Sequence, residues 1–236
     1  ETFRLKAISR LFLREPSEAK HRADEALDAS PEWFSVKEAA GKIYFYSAIA
    51  TACPDWGIWE TPPPVRDEFV KVDAQSQRAL RKAEEIFNGL ESSEGIPERE
   101  RELMAIWRLG CLFNLKERQA EAERLCISLV EDEPLCLPVI AWAIEKKVEI
   151  DRVAVQAALE QAVAKSPNIP LVQTLFVVVC SRGLYKEAGE LLDEFRHLYE
   201  NSLAFSAWAS QRIQIAVLNK ESVVKNDLIV GDVSGE

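Results

Sequence analysis

Residues 106–134 read IWRLGCLFNLKERQAEAERLCISLVEDEP, and this pattern of side-chain sizes returns every 33 residues. Ile106, Val139, Val172 and Phe205 form one column, 33 apart at each step (139 less 106, and so on). Leu109, Trp142, Leu175 and Trp208 form the next, followed by Gly110, Ala143, Phe176 and Ala209. Ala122, Val155 and Ala188 come later in the unit, then Cys126, Leu159 and Leu192, then Leu129, Ala162 and Phe195. Pro134 and Pro167 close two of the units. A period of this length predicts stacked supersecondary units, none of which buries its apolar face alone.

The beat extends towards the amino terminus. Ala19, Ala23, Ala26 and Pro31 repeat the spacing of Ala122, Cys126, Leu129 and Pro134. Ala40-Gly41 and Tyr44 repeat the order of Leu109-Gly110 and Phe113. The predicted units are therefore 1–33, 34–97, 103–135, 136–168 and 169–201, with a capping helix over 202–219. Pro16-Ser17-Glu18 offers a turn and a helix N-cap. The second unit is interrupted at 53–73, where Trp56, Trp59 and Pro62-Pro63-Pro64 replace the helical pattern. Consecutive prolines lack amide donors and prefer an extended conformation, so no helix is expected through them. The polar stretch Glu91 to Pro97 reads as a loop and internal hinge, and 220–236 as a flexible tail.

The chain has 236 residues, 47% of them hydrophobic, and a formal net charge of −10. That size permits a substantial core, and that charge disfavours binding to phosphate backbones. No nucleic-acid partner is expected. Five cysteines without paired spacing argue for free thiols in a reducing, cytoplasmic setting. The apolar runs are too short to span a bilayer, so no membrane insertion is expected. The opening Glu1-Thr2-Phe3-Arg4 reads as helix, so no signal peptide is expected, and the absence of an initiator Met suggests an excised domain of something longer, with a processed chain as the alternative.

The columns resemble the tetratricopeptide repeat, whose pattern is W-x2-L-G-x2-Y, then A-x3-F, then P. Ile106-x2-Leu109-Gly110-x2-Phe113 is followed by Ala122-x3-Cys126 and then Pro134. Gly183-Leu184-Tyr185-Lys186-Glu187-Ala188 is similar to the turn between the two helices of such a unit. Phe176 stands where a small residue is usual, and Lys146 and Arg212 replace the expected aromatic. The resemblance implies an all-α, right-handed superhelical solenoid of antiparallel helix pairs with one long non-helical insertion. The ankyrin repeat shares the period, but its Thr-Pro-Leu-His motif is missing.

The resemblance further implies a concave groove lined by the first helix of each pair. Carried over by position, it would present Lys42, Phe45 and Tyr46, then Trp107, Cys111 and Asn114. It continues with Ile140, Ile144 and Lys147, then Gln173, Val177 and Cys180, then Ser206, Ser210 and Ile213. The alternative for Trp107, Ile140 and Val177 is packing between units. Trp56 and Trp59 are candidates for a lid or second site, or for a plug against the second hairpin. His21 and His197 lie far apart in sequence, and no phosphate loop, HExxH or CxxC is present. No catalytic, metal or cofactor site is expected. The expected function is protein–protein interaction, as a scaffold, adaptor or sensor that holds a partner's peptide or helix. The alternatives are a regulatory arm of a larger enzyme and a secretion or assembly chaperone.

Overall fold

The computed structural model describes residues 2–12, 15–49, 61–62 and 73–231. Among them every regular element is helical, and no strand forms. The helices are α1 (Thr2–Phe12), α2 (Pro16–Ala29), α3 (Phe34–Ala48), α4 (Ala74–Glu91), α5 (Glu98–Phe113) and α6 (Gln119–Asp132). They continue with α7 (Leu137–Glu145), α8 (Arg152–Lys165), α9 (Ile169–Ser181), α10 (Tyr185–Glu194), the single turn α11 (Arg196–Tyr199) and α12 (Phe205–Gly231). The second helices of two predicted units keep the sequence beat. α6 and α8 end 33 residues apart, at Asp132 and Lys165.

Local chemistry sets several starts. Asp73 Oδ1 accepts the amide hydrogens of Gln75 and Ser76 at 2.9 Å each, satisfying two donors that the first turn of α4 leaves free. Asp151 does the same for Val153 and Ala154 at the start of α8. Asn168 caps Leu171 at the start of α9. At α2 the cap anticipated in Pro16-Ser17-Glu18 does not form. Pro16 is itself the first helical residue, and Glu15 before it makes no side-chain cap. Gly183 turns the chain from α9 into α10 at φ +77°, a conformation that a side chain disfavours.

The described chain divides into two compact units, Glu1–Glu131 with Glu145–Val148, and Asp132–Ile144 with Glu149–Glu236. In the first, α1 packs on α2, α2 on α3, α3 on α4 and α4 on α5, while α1 also touches α3. In the second, α8 packs on α9, α9 on α10 and α10 on α12, with α11 against both α10 and α12. The loop between Glu91 and Glu98, expected as a hinge, lies inside the first unit between two packed helices.

Most of the repeat columns face inward, but Leu129, Ala162 and Phe195 are only half-buried. Ala19, Ala122 and Ala188 are fully buried, as are Leu109, Trp142, Val139 and Val172. Gly41 shows why the small column exists. A β-carbon there would meet the Phe87 ring of α4, so only hydrogen lets α3 and α4 approach this closely. Phe176, the large residue in that column, is nonetheless buried. Phe205 alone of its column stays 37% exposed.

Two expectations meet the structure differently. The last helix does not stop at Asn219 but runs to Gly231. The interruption at 53–73, with Trp56 and Trp59, lies outside the described residues except for Thr61, Pro62 and Asp73.

Candidate functional site

The first-unit candidates come together, in the interior. α3 carries Lys42, Phe45 and Tyr46, and α5 carries Trp107, Cys111 and Asn114, all of them buried. The Trp107 ring lies 5.5 Å from Phe45 and 5.8 Å from Tyr46, edge to face in both cases. Phe87 of α4 stacks on Trp107 at 5.5 Å with an interplanar angle of 24°. Such ring pairs add about 0.5–1.5 kcal/mol beyond their burial. Lys42 brings its ammonium to 5.2 Å from the Trp107 ring centre and 2.6 Å from Glu38 Oε1. Two favourable partners, an aromatic face and a carboxylate, offset the cost of burying this cation.

Cys111 and Asn114 occupy the same interior. Complete burial, with the Glu84 carboxylate as a lesser influence, pushes the Cys111 thiol well above its ordinary value, which leaves it unreactive. Asn114 is the C-cap residue of α5. Its Nδ2 donates to Gly110 O at 2.7 Å, while its Oδ1 has no partner. Gln119 donates to Phe113 O and Leu115 O, and Gln77 to Asn114 O, so amide side chains close the carbonyl end of α5.

An ionic network not anticipated from the sequence adjoins this cluster. The Arg108 guanidinium reaches Glu84 at 3.0 Å, Glu91 at 3.3 Å and Glu121 at 2.8 Å, joining α4, α5 and α6. Arg118 shares Glu121 at 2.6 Å. Burial disfavours the charged form of Arg108, and its carboxylate partners more than offset this, so its pKa is raised. The hydrogen bond from Arg118 holds the Glu121 carboxyl below the usual range. A signal was present in the sequence: Glu84 sits at helical spacing between Leu80 and Phe87, on the apolar face of α4. A charge there asks for a partner.

The second-unit candidates are partly solvent-facing. Ile140 is fully buried and Ile144 half-buried; Lys147, which follows α7 and falls in the first unit, is exposed at φ +57°. On α9, Val177 is exposed between half-buried Gln173 and Cys180. Burial raises the Cys180 thiol to about 11. Thirty-three residues later, Ser206, Ser210 and Ile213 of α12 are all exposed. Both helices pack on α10. The contact of α12 with α10 is specific. Trp208 Nε1 donates to Leu192 O at 2.9 Å, and Arg212 grips Asp193 through two bonds of 2.7 Å. The hydrogen bond from Arg212 keeps the Asp193 carboxyl below its ordinary value.

The remaining polar candidates hold no chemistry together. His21 is exposed beside Glu25 in the first unit, and His197 is exposed beside Phe195 in the second. A shallow depression on α1 and α2 is lined by Thr2, Leu5, Lys6, Ser9, Arg10 and Arg22. Its two guanidiniums are turned to carboxylates, Arg10 to Glu15 and Arg22 to Glu18 and Glu25. Among the described residues no group of three or more His, Cys, Asp or Glu is placed to hold a metal ion. None of the described helices is long and apolar enough to cross a membrane. No family model, curated protein or solved structure matches the chain.

Proposed function

We propose that each unit is a stack of helical hairpins of the tetratricopeptide kind, and that the chain is a protein-interaction module without chemistry of its own. The partner supplies a peptide or an amphipathic helix. It docks in the second unit, along the row formed by Gln173, Val177 and Cys180 on α9 and by Ser206 and Ser210 on α12. The observation that carries this reading is the exposure of Val177, Ser206 and Ser210, with Gln173 and Cys180 half-buried beside them. None of the row's side chains is charged at neutral pH, on a chain with a net charge of −10. Uncharged, partly apolar surface repeated on neighbouring units suits a partner that buries apolar side chains.

The equivalent positions of the first unit serve a different end in this proposal. Lys42, Phe45, Tyr46, Trp107, Cys111 and Asn114 are buried and give that unit its rigidity. The test is selection of binding peptides from a random displayed library with the whole chain as bait. Val177→Glu is then expected to weaken the selected peptides at least about tenfold, since a carboxylate must be desolvated at the contact. The far-ultraviolet circular dichroism should not change. Peptides that bind both forms equally would move the site away from this row.

A further inference from the structure

Two guanidiniums are held between the start of α8 and the end of α9. Arg152 Nη1 donates to Ser181 O at 3.0 Å, and Arg182 Nη1 donates to Oε1 of Gln156, one turn along α8 from Arg152. Their acceptors are a carbonyl and an amide, neither of them charged. Elsewhere Arg10, Arg22, Arg81, Arg108, Arg118 and Arg212 donate to carboxylates. Arg152 is half-buried and Arg182 exposed. Each uses one nitrogen on the protein, so the other N–H groups of both forks face no protein acceptor among the described residues.

The same stretch reverses the sign of the chain. From Arg152 to Lys186 stand four cations, Arg152, Lys165, Arg182 and Lys186, and one carboxylate, Glu160, which accepts from Gln156. The stretch is therefore +3 inside a chain of −10. Asp151, next to Arg152, is occupied in capping α8, and Glu187, the next carboxylate beyond, belongs to the first turn of α10. At physiological salt, charges more than about 8 Å away are largely screened, so the local sign decides what this surface attracts.

We infer that the partner segment docked on the α9 row is acidic, and that one of its side-chain carboxylates is gripped by Arg152 and Arg182. The inference rests on the reading of that row as a binding surface. Val177 and Ser181 are four residues apart, about 6 Å along the helix. A partner helix lying along α9 with an apolar side chain on Val177 therefore brings an Asp or Glu three or four residues away to the guanidiniums. A planar guanidinium matches a carboxylate through two parallel hydrogen bonds. A basic segment would instead meet two cations that no carboxylate of the described chain neutralises.

The test reads the sequences of peptides that the whole chain selects from a random displayed library. They should carry Asp or Glu three or four residues from an apolar residue, well above the share in the unselected library. A selected peptide, synthesised with both termini blocked, should bind about threefold more weakly to Arg182→Gln. Arg152→Gln combined with Arg182→Gln should weaken it about tenfold. Arg182→Lys should fall between wild type and Arg182→Gln, because it keeps the charge without the fork. Replacing the peptide's acidic residues with Gln should abolish the difference between wild type and the double variant. Arg152 also closes Ser181 O, so far-ultraviolet circular dichroism is followed, and Arg182→Gln alone carries the test should the double variant lose helix. Selected peptides without acidic enrichment, or equal affinity for wild type and the arginine variants, overturn the inference. So does binding that requires a free C-terminal carboxylate. Where such peptides still depend on Val177, the row itself stands. Acidic peptides that need the arginines but not Val177 overturn only the row, and a library that yields no binder overturns both.

Discussion

A β-carbon built on Gly41 would lie 2.7 Å from Cζ of Phe87, nearer than two carbons can come without displacement. Phe87 is fully buried and stacked on Trp107, so its ring has no room to swing aside. The spacing between α3 and α4 is therefore set by one hydrogen atom. Overpacking of this kind costs about 1–3 kcal/mol. Alanine returns about 1 kcal/mol through its better helix propensity. Gly41→Ala should thus lower the unfolding free energy read from urea titration by a net amount on the order of 1 kcal/mol. In a Phe87→Leu background the same change should become neutral or stabilising, since the ring is gone.

Trp208 tests the contact of α12 with α10. Trp208→Phe keeps most of the apolar volume but removes the donor to Leu192 O, and should cost about 1 kcal/mol. Trp208→Ala removes the ring as well and should cost about 3–5 kcal/mol. Equal losses from the two, measured by denaturant titration, would show that the indole hydrogen bond and not the packing holds this contact.

Arg108 tests the ionic network of the first unit. Arg108→Met leaves Glu84, whose side chain is only 8% exposed, with Arg118 at 3.7 Å as its remaining cation, and should destabilise by about 2 kcal/mol. Adding Glu84→Gln removes the under-compensated charge and should recover part of the loss. The two changes are therefore expected to be non-additive in a double-mutant cycle. Strict additivity would mean that Arg108 and Glu84 are not coupled.

Acid should weaken the fold in a definite window. Amide hydrogens from Ser76 and Gln75 hold Asp73 below its ordinary value, the hydrogen bond from Arg118 does so for Glu121, and that from Arg212 does so for Asp193. These groups bind protons less readily folded than unfolded, so the unfolded state takes up protons first as the pH drops. The stability they add is complete above the unfolded values of about 3.9 for Asp and 4.3 for Glu, and is lost as the pH falls through the lower folded values. Urea midpoints should be level from about pH 7 to 5.5 and fall steadily below about pH 4.5. A midpoint that rises on acidification would contradict this.

The all-helical class was legible because the 33-residue beat places small and apolar residues at helical spacing. The small residues Ala19, Ala122 and Ala188, and the prolines after α6 and α8, mark where helices touch and where they stop. The facing of individual helices was less legible, for a physical reason. In α5 every residue from Met104 to Phe113 is buried except half-buried Arg108, and α3 is buried almost all round from Val36 to Ala48. A helix surrounded on every side carries no polar stripe to declare its orientation. Trp107 and Phe45 were therefore readable as apolar but not as interior. Arg108 meets carboxylates 24, 17 and 13 residues away, separations that no local pattern reports.

Asp73 has a consequence for how this chain can change over evolutionary time. Its carboxylate takes the two amide hydrogens of α4 and the Ser76 hydroxyl, so the helix carries its own starting signal. Residues upstream of Asp73 are not needed to say where α4 begins. The register of Leu80, Ala83 and Phe87 against α3 is thereby insulated from insertions and deletions in the preceding interruption. Pro62 within that interruption is itself buried, so Asp73 releases the start of α4 from what precedes it without releasing every residue there from its neighbours.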